Sequence, residues 1–366
     1  MDIRQQRLAK VLVDYSTHVQ PGDRVGIFSS PEAAPLVRAV YERVLERGGH
    51  PVLNVSLPGI AEIYFRTAND AQLQFIDPVR KLIIDEFEAL ISIRAETNTR
   101  ELNGIDPARQ ALQRKANTPI MQRYMERGAS GELKWVGTLF PTAAYAQEAD
   151  MSLRDYEDFV YGACHCNKED PIAEWIRIHK EQQRVVDWLK GKDQVVIKGP
   201  NADVTLSIAG RTFVNSDGHH NMPSGEVFTG PVEESVNGWV RFTYPAITDG
   251  RVVEGIELWF EEGKVVKAQA KKNEPYLLQT LDTDEGARYL GEFAIGTNYG
   301  IQKFTKNILF DEKIGGSFHM AVGAGYPETG SKNRSAVHWD MICDMRDGSE
   351  ILVDSELLYK DGKFVI

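Results

Sequence analysis

DRVGIFSSPEAAPLVRAVYERVLERGGHPVLNVS, residues 23–56, combines three consecutive elements of one structural unit. DRVGIF (23–28) is typical of a β-strand, PEAAPLVRAVYERVLERGG (31–49) of a helix that ends at a glycine pair, and HPVLNVS (50–56) of a second strand. Two strands joined by a crossover helix normally lie side by side in a parallel sheet. This stretch therefore predicts an α/β fold with a largely parallel sheet.

The chain continues this alternation up to about residue 190. Residues 88–98 and 134–141 are typical of two further strands. Asp170 and Pro171 then form the start signal of a long amphipathic helix, predicted to run to about Leu189. We therefore predict an N-terminal α/β domain over residues 1–189.

Beyond Gly191 the pattern changes to short strands separated by glycine turns. Glu262-Gly263 and Asp361-Gly362 stand where tight hairpin loops are expected. One helical stretch is predicted over roughly residues 282–295. The second predicted domain, residues 190–366, is therefore a strand-rich α+β domain.

Composition excludes several classes of protein. Of 366 residues, 42% are hydrophobic and 26% charged, an ordinary globular balance. No segment approaches the roughly 18 apolar residues of a membrane span, and the opening MDIRQQRLAKVLVDYS is typical of an amphipathic helix rather than a secretory signal. The net charge of −11 without a long basic run argues against nucleic acid as a partner. We expect a cytoplasmic protein with neither membrane nor nucleic-acid partners, and the three cysteines fit a reducing compartment.

The first half carries little reactive chemistry. It has no GxGxxG after its first strand, no P-loop and no GxSxG elbow. The run Cys164-His165-Cys166 suggests a metal site, but three adjacent residues cannot all face one ion, so a structural role is favoured. The side chains of His219 and His220 also point in different directions because the residues are adjacent, so at most one could bind a metal and a loop or substrate-facing role is favoured.

The second half holds a different set of residues. In SAVHWDMICDM, a strand-like run, His338 and Asp340 are two residues apart and would share one face of the strand. An imidazole and a carboxylate presented together suit Zn²⁺, Co²⁺ or Mn²⁺, although for this motif taken alone a salt-linked surface pair is the favoured explanation.

Three further candidates lie in glycine-rich or apolar surroundings. Glu226 is expected in a tight loop, Glu292 near the end of the predicted helical stretch, and His319 just past a glycine pair. A partly buried glutamate is costly unless it is paired or metal-bound. Together with His338 and Asp340, these hard oxygen and borderline nitrogen donors match a dinuclear hydrolase site.

Four segments carry a family resemblance: NMPSGEVFTGPVEESVNG (221–238), LGEFAIGTNYGI (290–301), ILFDEKIGGSFHMAVGAGYPE (308–328) and SAVHWDMI (335–342). They resemble the thermophilic aminopeptidase family of metallopeptidases, peptidase family M29. The likeness covers essentially the whole chain and is most specific in these C-terminal motifs.

The resemblance implies a set of metal ligands, listed as Glu226, Glu292, His319, His338 and Asp340. It implies that Tyr326 stabilises the oxyanion, and Glu292 is expected to bridge two ions or move a proton. The expected cofactor is a pair of divalent ions per chain, drawn from Zn²⁺, Co²⁺, Mn²⁺ or Mg²⁺. The expected substrates are peptides with a free N-terminus, and the expected assembly is a homodimer. Asp311 and Glu312 are expected to be structural or to support the ligands.

Three other functions stay open at this point. Another metal-dependent amide hydrolase, such as an amidase or carboxypeptidase, could use the same ligands. A non-catalytic protein whose two domains close on a small molecule could use the carboxylates as polar contacts. A nucleotide-dependent enzyme is disfavoured by the missing glycine fingerprint.

Overall fold

The computed structural model describes residues 2–248 and 250–366, which form two compact units. The first unit comprises the residues up to Glu174 together with Gly218–Pro223. The second comprises Trp175–Asp217 and Ser224–Ile366. The boundary between folding domains that the sequence suggests near residue 190 stays a prediction.

The helices, in chain order, are α1 (Ile3–Lys10), α2 (Ala34–Glu46), α3 (Ile60–Thr67), α4 (Asp70–Leu73), α5 (Pro78–Glu86), α6 (Pro107–Ala116), α7 (Thr118–Ser130), α8 (Ala143–Glu148), α9 (Leu153–Ala163), α10 (Pro171–Leu189), α11 (Glu274–Leu281) and α12 (Ile308–Asp311). A π-helical turn, Val11–Ser16, continues α1, and 3-10 turns occupy Pro31–Ala33, Glu285–Arg288 and Pro327–Thr329.

The strands, in chain order, are β1 (Arg24–Ser29), β2 (His50–Val55), β3 (Ala89–Arg94), β4 (Lys134–Leu139), β5 (Gln194–Gly199), β6 (Ala202–Ser207), β7 (Val214–Ser216), β8 (Asn221–Met222), β9 (Glu226–Thr229), β10 (Asn237–Arg241), β11 (Ala246–Thr248), β12 (Arg251–Val253), β13 (Glu257–Glu261), β14 (Lys264–Gln269), β15 (Leu290–Gly296), β16 (Ser317–Gly323), β17 (His338–Asp344), β18 (Glu350–Val353), β19 (Glu356–Lys360) and β20 (Lys363–Phe364).

The first unit is built on a parallel sheet in the order β2-β1-β3-β4-β8. Its inner strands β1 and β3 are largely buried, as expected for strands covered on both faces. Helix α2 is amphipathic and buries Leu36, Val40 and Val44, which recur at the spacing of one helix face. The predicted strand-helix-strand unit and its parallel sheet are confirmed.

The second unit is strand-rich and antiparallel. An eight-stranded sheet has the order β14-β13-β10-β6-β5-β18-β19-β20, and a five-stranded sheet has the order β17-β16-β15-β9-β7. Strands β13 and β14 are joined through Glu262-Gly263, and β19 and β20 through Asp361-Gly362. All four turn residues have positive φ, the conformation of a tight two-residue hairpin, so both predicted hairpins are confirmed.

A single hydrophobic cluster joins the two large sheets of the second unit. The eight-stranded sheet contributes residues such as Ile197 and Leu258, and the five-stranded sheet contributes Phe293, Phe318 and Met341. Because successive strand residues point to opposite faces, this cluster takes only one face of the five-stranded sheet. The other face of that sheet is left for polar side chains.

Two local expectations about the second unit are wrong. The predicted helix over residues 282–295 is instead helix α11, which ends at Leu281, followed by a 3-10 turn and strand β15. Glu292 therefore lies within a strand rather than near a helix end. Glu226 lies at the first residue of β9 rather than in a loop. In both cases pairing with neighbouring strands overrides the local sequence preference.

Within residues 2–248 and 250–366, no helix combines the length and apolar character that crossing a bilayer requires.

Truncation of a side chain in this cluster tests the packing of the second unit. Phe318 is 0% exposed, so Phe318→Ala is expected to lower the free energy of unfolding by about 3–5 kcal/mol. Phe75, which is 66% exposed, provides the control: Phe75→Ala should change the free energy of unfolding by no more than about 0.5 kcal/mol. Denaturant titration of both variants measures the difference, and equal effects would contradict the described core.

Candidate metal centre

Four strands of the five-stranded sheet present ionisable side chains on one face. On β15, Phe293 and Ile295 enter the hydrophobic cluster, so Glu292 points the other way. The same alternation places Glu226 on β9, His319 on β16, and both His338 and Asp340 on β17 opposite the core. All five residues that the sequence suggested as ligands thus share one face of one sheet.

The strand register surrounds each of these side chains with small residues. Ala321 of β16 lies directly between Glu292 and Asp340 on the two neighbouring strands. His319 is paired with Ala294, His338 with Gly323, and Glu226 with Gly296. His319 is therefore a diagonal neighbour of both Glu292 and Asp340, and the small residues between the donors leave space for atoms above the sheet.

A β-bulge sets the orientation of Glu292. Leu290 is paired with Val322, whereas Glu292 is paired with Ala321, so Gly291 is the extra residue. The bulge allows Leu290 to enter the hydrophobic cluster while Glu292 faces the opposite side. A Cβ atom on Gly291 would lie 2.1 Å from the carbonyl oxygen of Ala324, so a side chain is excluded there.

The ligand atoms converge at short but non-bonding distances. Nε2 of His319 is 3.5 Å from Oε2 of Glu226 and 3.8 Å from Oε1 of Glu292. Nε2 of His338 is 3.4 Å from Oε2 of Glu292 and 3.7 Å from Oδ1 of Asp340. All four separations exceed the roughly 2.7–3.2 Å of an N–H···O hydrogen bond. Donors at about 2.1 Å from a common tetrahedral ion are about 3.4 Å apart, close to the observed spacing.

Unpartnered buried atoms also fit a cation. Oε2 of Glu226 and Oδ1 of Asp340 are buried and make no hydrogen bond. Buried polar atoms without partners are rare, and a buried carboxylate requires a positive partner. Among the described residues, two groups could each hold an ion: Glu292 with His338 and Asp340, and Glu312 with His319 and Asp340.

The ring of His338 is oriented by the backbone. Its Nδ1 lies 2.8 Å from the carbonyl oxygen of Ala324, and a carbonyl can only accept a hydrogen bond. Nδ1 therefore carries the proton, and Nε2, which faces Glu292 and Asp340, is left as the ligand atom. Such a hydrogen bond behind a histidine is the usual arrangement in metal sites.

Charge and burial shift the pKa of each of the five predicted ligands. Burial acts to lower the pKa of both imidazoles, but the carboxylates outweigh it, raising that of His319 to about 9 and that of His338 to about 10. Burial raises the pKa of Glu226 and Asp340. Burial also opposes ionisation of Glu292, but its two histidine neighbours prevail and lower its pKa. The carboxylates thus need positive charge nearby.

Sequence reasoning did not single out Lys313 and gave Glu312 a supporting role. Lys313 is fully buried, and its Nζ lies 3.5 Å from Oε1 of Glu226 and in contact with Oε1 of Glu312. The signal was present in the run DEKIGG, where a lysine stands beside apolar and glycine residues. A lysine enclosed in this way requires anionic partners, which the sequence could not locate.

Gln182 of α10 was also not anticipated. It is buried, and its Nε2 donates to the carbonyl oxygen of Glu226 at 3.1 Å, while its Oε1 accepts from the hydroxyl of Thr297 at 2.8 Å. These bonds fix the backbone at the start of β9. A polar residue on the buried side of an amphipathic helix was the available signal.

Tyr326 lies beside the group, immediately before a 3-10 turn. Its ring centre is 5.2 Å from that of His338 and 5.4 Å from that of Phe228. Burial raises the pKa of the Tyr326 hydroxyl above its usual range, and the nearby carboxylates add to this. The phenol therefore stays protonated and can donate a hydrogen bond.

The other residues considered from the sequence lie outside this group. Asp311 is buried, and its Oδ1 accepts hydrogen bonds from the backbone and hydroxyl of Thr305 at 2.7 and 2.9 Å. Cys164 and Cys166 are fully buried at the end of α9. None of these belongs to either possible metal group found among the described residues.

The histidine pair of the first unit packs on aromatic rings. The ring of His220 stacks on Trp135 with centroids 4.5 Å apart, and the ring of His219 lies 4.6 Å from Tyr15. These ring contacts do not support a metal-ligand role for either histidine.

Comparisons with known proteins show which family this chain resembles. The family profile described as thermophilic metalloprotease (M29) matches residues 1–364. Aminopeptidase 2 of Geobacillus stearothermophilus is 29% identical over 98% of this chain and 94% of its own length, and aminopeptidase T of Thermus thermophilus is 27% identical over 98% and 95%. The solved structure of wild-type AmpT from Thermus thermophilus has the same fold, with a TM-score of 0.86 at 23% identity, covering 99% of each chain.

Metal binding at this site should release protons. The raised pKa values of His319, about 9, and His338, about 10, mean that both rings carry two protons in the metal-free chain at neutral pH. An ion can take Nε2 only after that proton leaves, so the affinity should fall as the pH falls. Calorimetric titration with Co²⁺ near pH 7.5, in buffers of different ionisation enthalpy, should reveal release of about two protons per chain. Heats that do not depend on the buffer would contradict this.

Proposed function

The chain belongs to the thermophilic metalloprotease family M29 and is a metallopeptidase; we propose that it is an aminopeptidase that removes N-terminal residues from peptides at a site holding two divalent ions. The aminopeptidase names of its relatives support the reaction. The convergence of two histidines and several carboxylates on one sheet face, with unpartnered buried atoms among them, is the observation that carries the proposal.

We assign the ligands as Glu226, Glu292, His319, His338 and Asp340. Glu312 is a further candidate, because it falls in one of the two possible groups. Those groups have Asp340 in common, which supports two neighbouring positions rather than one. A carboxylate that spans two ions is frequent in hydrolases with paired metals. The residue types suit Zn²⁺, Co²⁺ or Mn²⁺.

Glu292 is well placed to bridge the two positions. One of its oxygens faces His319 and the other faces His338. With one oxygen on each side, Glu292 would be able to hold both ions. Alternatively, if it does not bridge the ions, Glu292 could pass a proton from the attacking water to the leaving amine.

When bound, a divalent ion lowers the pKa of a water molecule towards about 7 and polarises the scissile carbonyl. The protein supplies the orientation. Ala324 fixes the ring of His338, and Gln182 fixes the backbone of Glu226, so the donors need little rearrangement. Tyr326, with its protonated hydroxyl beside His338, is placed to donate a hydrogen bond where negative charge develops on the carbonyl oxygen.

Loss of activity on chelation tests the metal dependence. Hydrolysis of leucine-p-nitroanilide should cease after dialysis against EDTA and return on addition of Co²⁺, Zn²⁺ or Mn²⁺, because the donors cannot activate water alone. An N-acetylated peptide should resist cleavage where its free counterpart is cut. Cleavage of both forms would favour another amide hydrolase, and binding without any cleavage would favour a non-catalytic protein.

Substitution of Tyr326 tests the oxyanion role. Tyr326→Phe should lower kcat by about 10²–10³ with unchanged metal content, because one hydrogen-bond donor to the transition state is lost. Tyr289→Phe is a matched control, since Tyr289 is a half-buried tyrosine just before β15. Steady-state kinetics and metal analysis of both variants make the comparison. Equal rates for Tyr326→Phe and Tyr289→Phe would contradict the assignment.

The homodimer and the cytoplasmic location stay predictions of the family resemblance and the composition.

A further inference from the structure

Lys313 is a cation enclosed among the carboxylates of the candidate metal centre. Its side chain is 0% exposed, between the end of α12 and the start of β16. A buried lysine is rare, and an ammonium without an anionic partner would be strongly destabilising there. Its partners are Glu226, at 3.5 Å, and Glu312, in direct contact. Lys313 therefore contributes charge rather than only volume.

The charge balance of the group shows why a permanent cation matters. Glu226, Glu292, Glu312 and Asp340 can carry four negative charges, and Lys313 is the one lysine that contacts any of them among the described residues. Four carboxylates this close repel one another and are stable only with compensating charge. Divalent ions supply that charge when they are bound. In their absence the two histidines that face the carboxylates supply part of it, and Lys313 supplies a further part beside Glu226 and Glu312.

We propose that Lys313 is a positioning residue, an internal counter-ion that holds Glu226 and Glu312 in place before metal arrives and thereby weakens metal binding. The proposal rests on the proposed function, because it takes this group as the metal site. The two carboxylates stay close in the metal-free chain because the ammonium lies between them. The same ammonium repels an incoming cation. The site is therefore already formed before metal binds, but its affinity for metal is lower than it would be without Lys313.

The ammonium stabilises the metal-free site but opposes metal binding, so its removal should lower the Tm of the metal-free chain and raise the affinity for metal. Lys313→Met keeps a similar length and volume but removes the charge. The metal-free variant should lose about 10 °C in Tm, because Glu226 and Glu312 lose the ammonium that compensates their charge. The metal-saturated variant should lose much less, because the ions replace the missing charge. By linkage, the stability that the ions restore appears as tighter binding, so the variant should bind Co²⁺ about 10²-fold more tightly than the unaltered chain.

The test measures Tm with and without saturating Co²⁺, and the Kd for Co²⁺ by calorimetry, for four proteins: the unaltered chain, Lys313→Met, Lys303→Met and the double variant Lys313→Met with Glu312→Gln. Lys303 is exposed, so Lys303→Met is the matched control and should behave as the unaltered chain. The double variant removes a carboxylate together with its cation, so its metal-free Tm should recover towards that of the unaltered chain. If metal-free Lys313→Met does not fold, the double variant provides the metal-free comparison.

The possible outcomes separate this inference from the proposed function. A larger metal-induced rise in Tm and a lower Kd for Lys313→Met support the internal counter-ion. Equal losses of Tm with and without Co²⁺, or weaker Co²⁺ binding by the variant, would overturn it and leave Lys313 as a packing residue. Absence of any Co²⁺ effect on the unaltered chain would instead refute the metal centre itself.

Discussion

Burial of like charges on one face of an antiparallel sheet is the constraint on which the rest of this structure depends. Glu226, Glu292 and His319 are at most 5% exposed, although carboxylates and imidazoles lose hydration when enclosed. A fold can keep such a group only if cations compensate it. The opposite face of the same strands is committed to a hydrophobic cluster, which holds the strands in register. The apolar core and the polar group are therefore formed by opposite faces of the same five-stranded sheet.

This arrangement explains which features the sequence could predict. The parallel sheet of the first unit followed from strand and helix patterns within residues 23–56, where neighbours in sequence are also neighbours in space. The hairpin at Asp361-Gly362 followed from local turn chemistry for the same reason. His338 and Asp340 could be assigned to one face because a strand has a fixed period of two. Each of these predictions depended only on residues that are close together in the sequence.

The remaining features depend on contacts between distant segments. Glu292 follows a helix-like stretch, and only its pairing with β9 and β16 makes that segment a strand. The convergence of Glu226 with His319 joins residues far apart in sequence, and the family resemblance, rather than periodicity, suggested it. Lys313 had no visible role until its two carboxylate partners were located. Long-range pairing determined each of these.

The central claim is that these side chains gather around divalent ions, and anomalous diffraction from crystals grown with Co²⁺ tests it most directly. The account predicts two anomalous peaks about 3.5–4 Å apart. Each should lie about 2.0–2.2 Å from nitrogen or oxygen atoms of the five ligands. Peaks only at other places on the chain, or no peak within reach of His319 and His338, would contradict it.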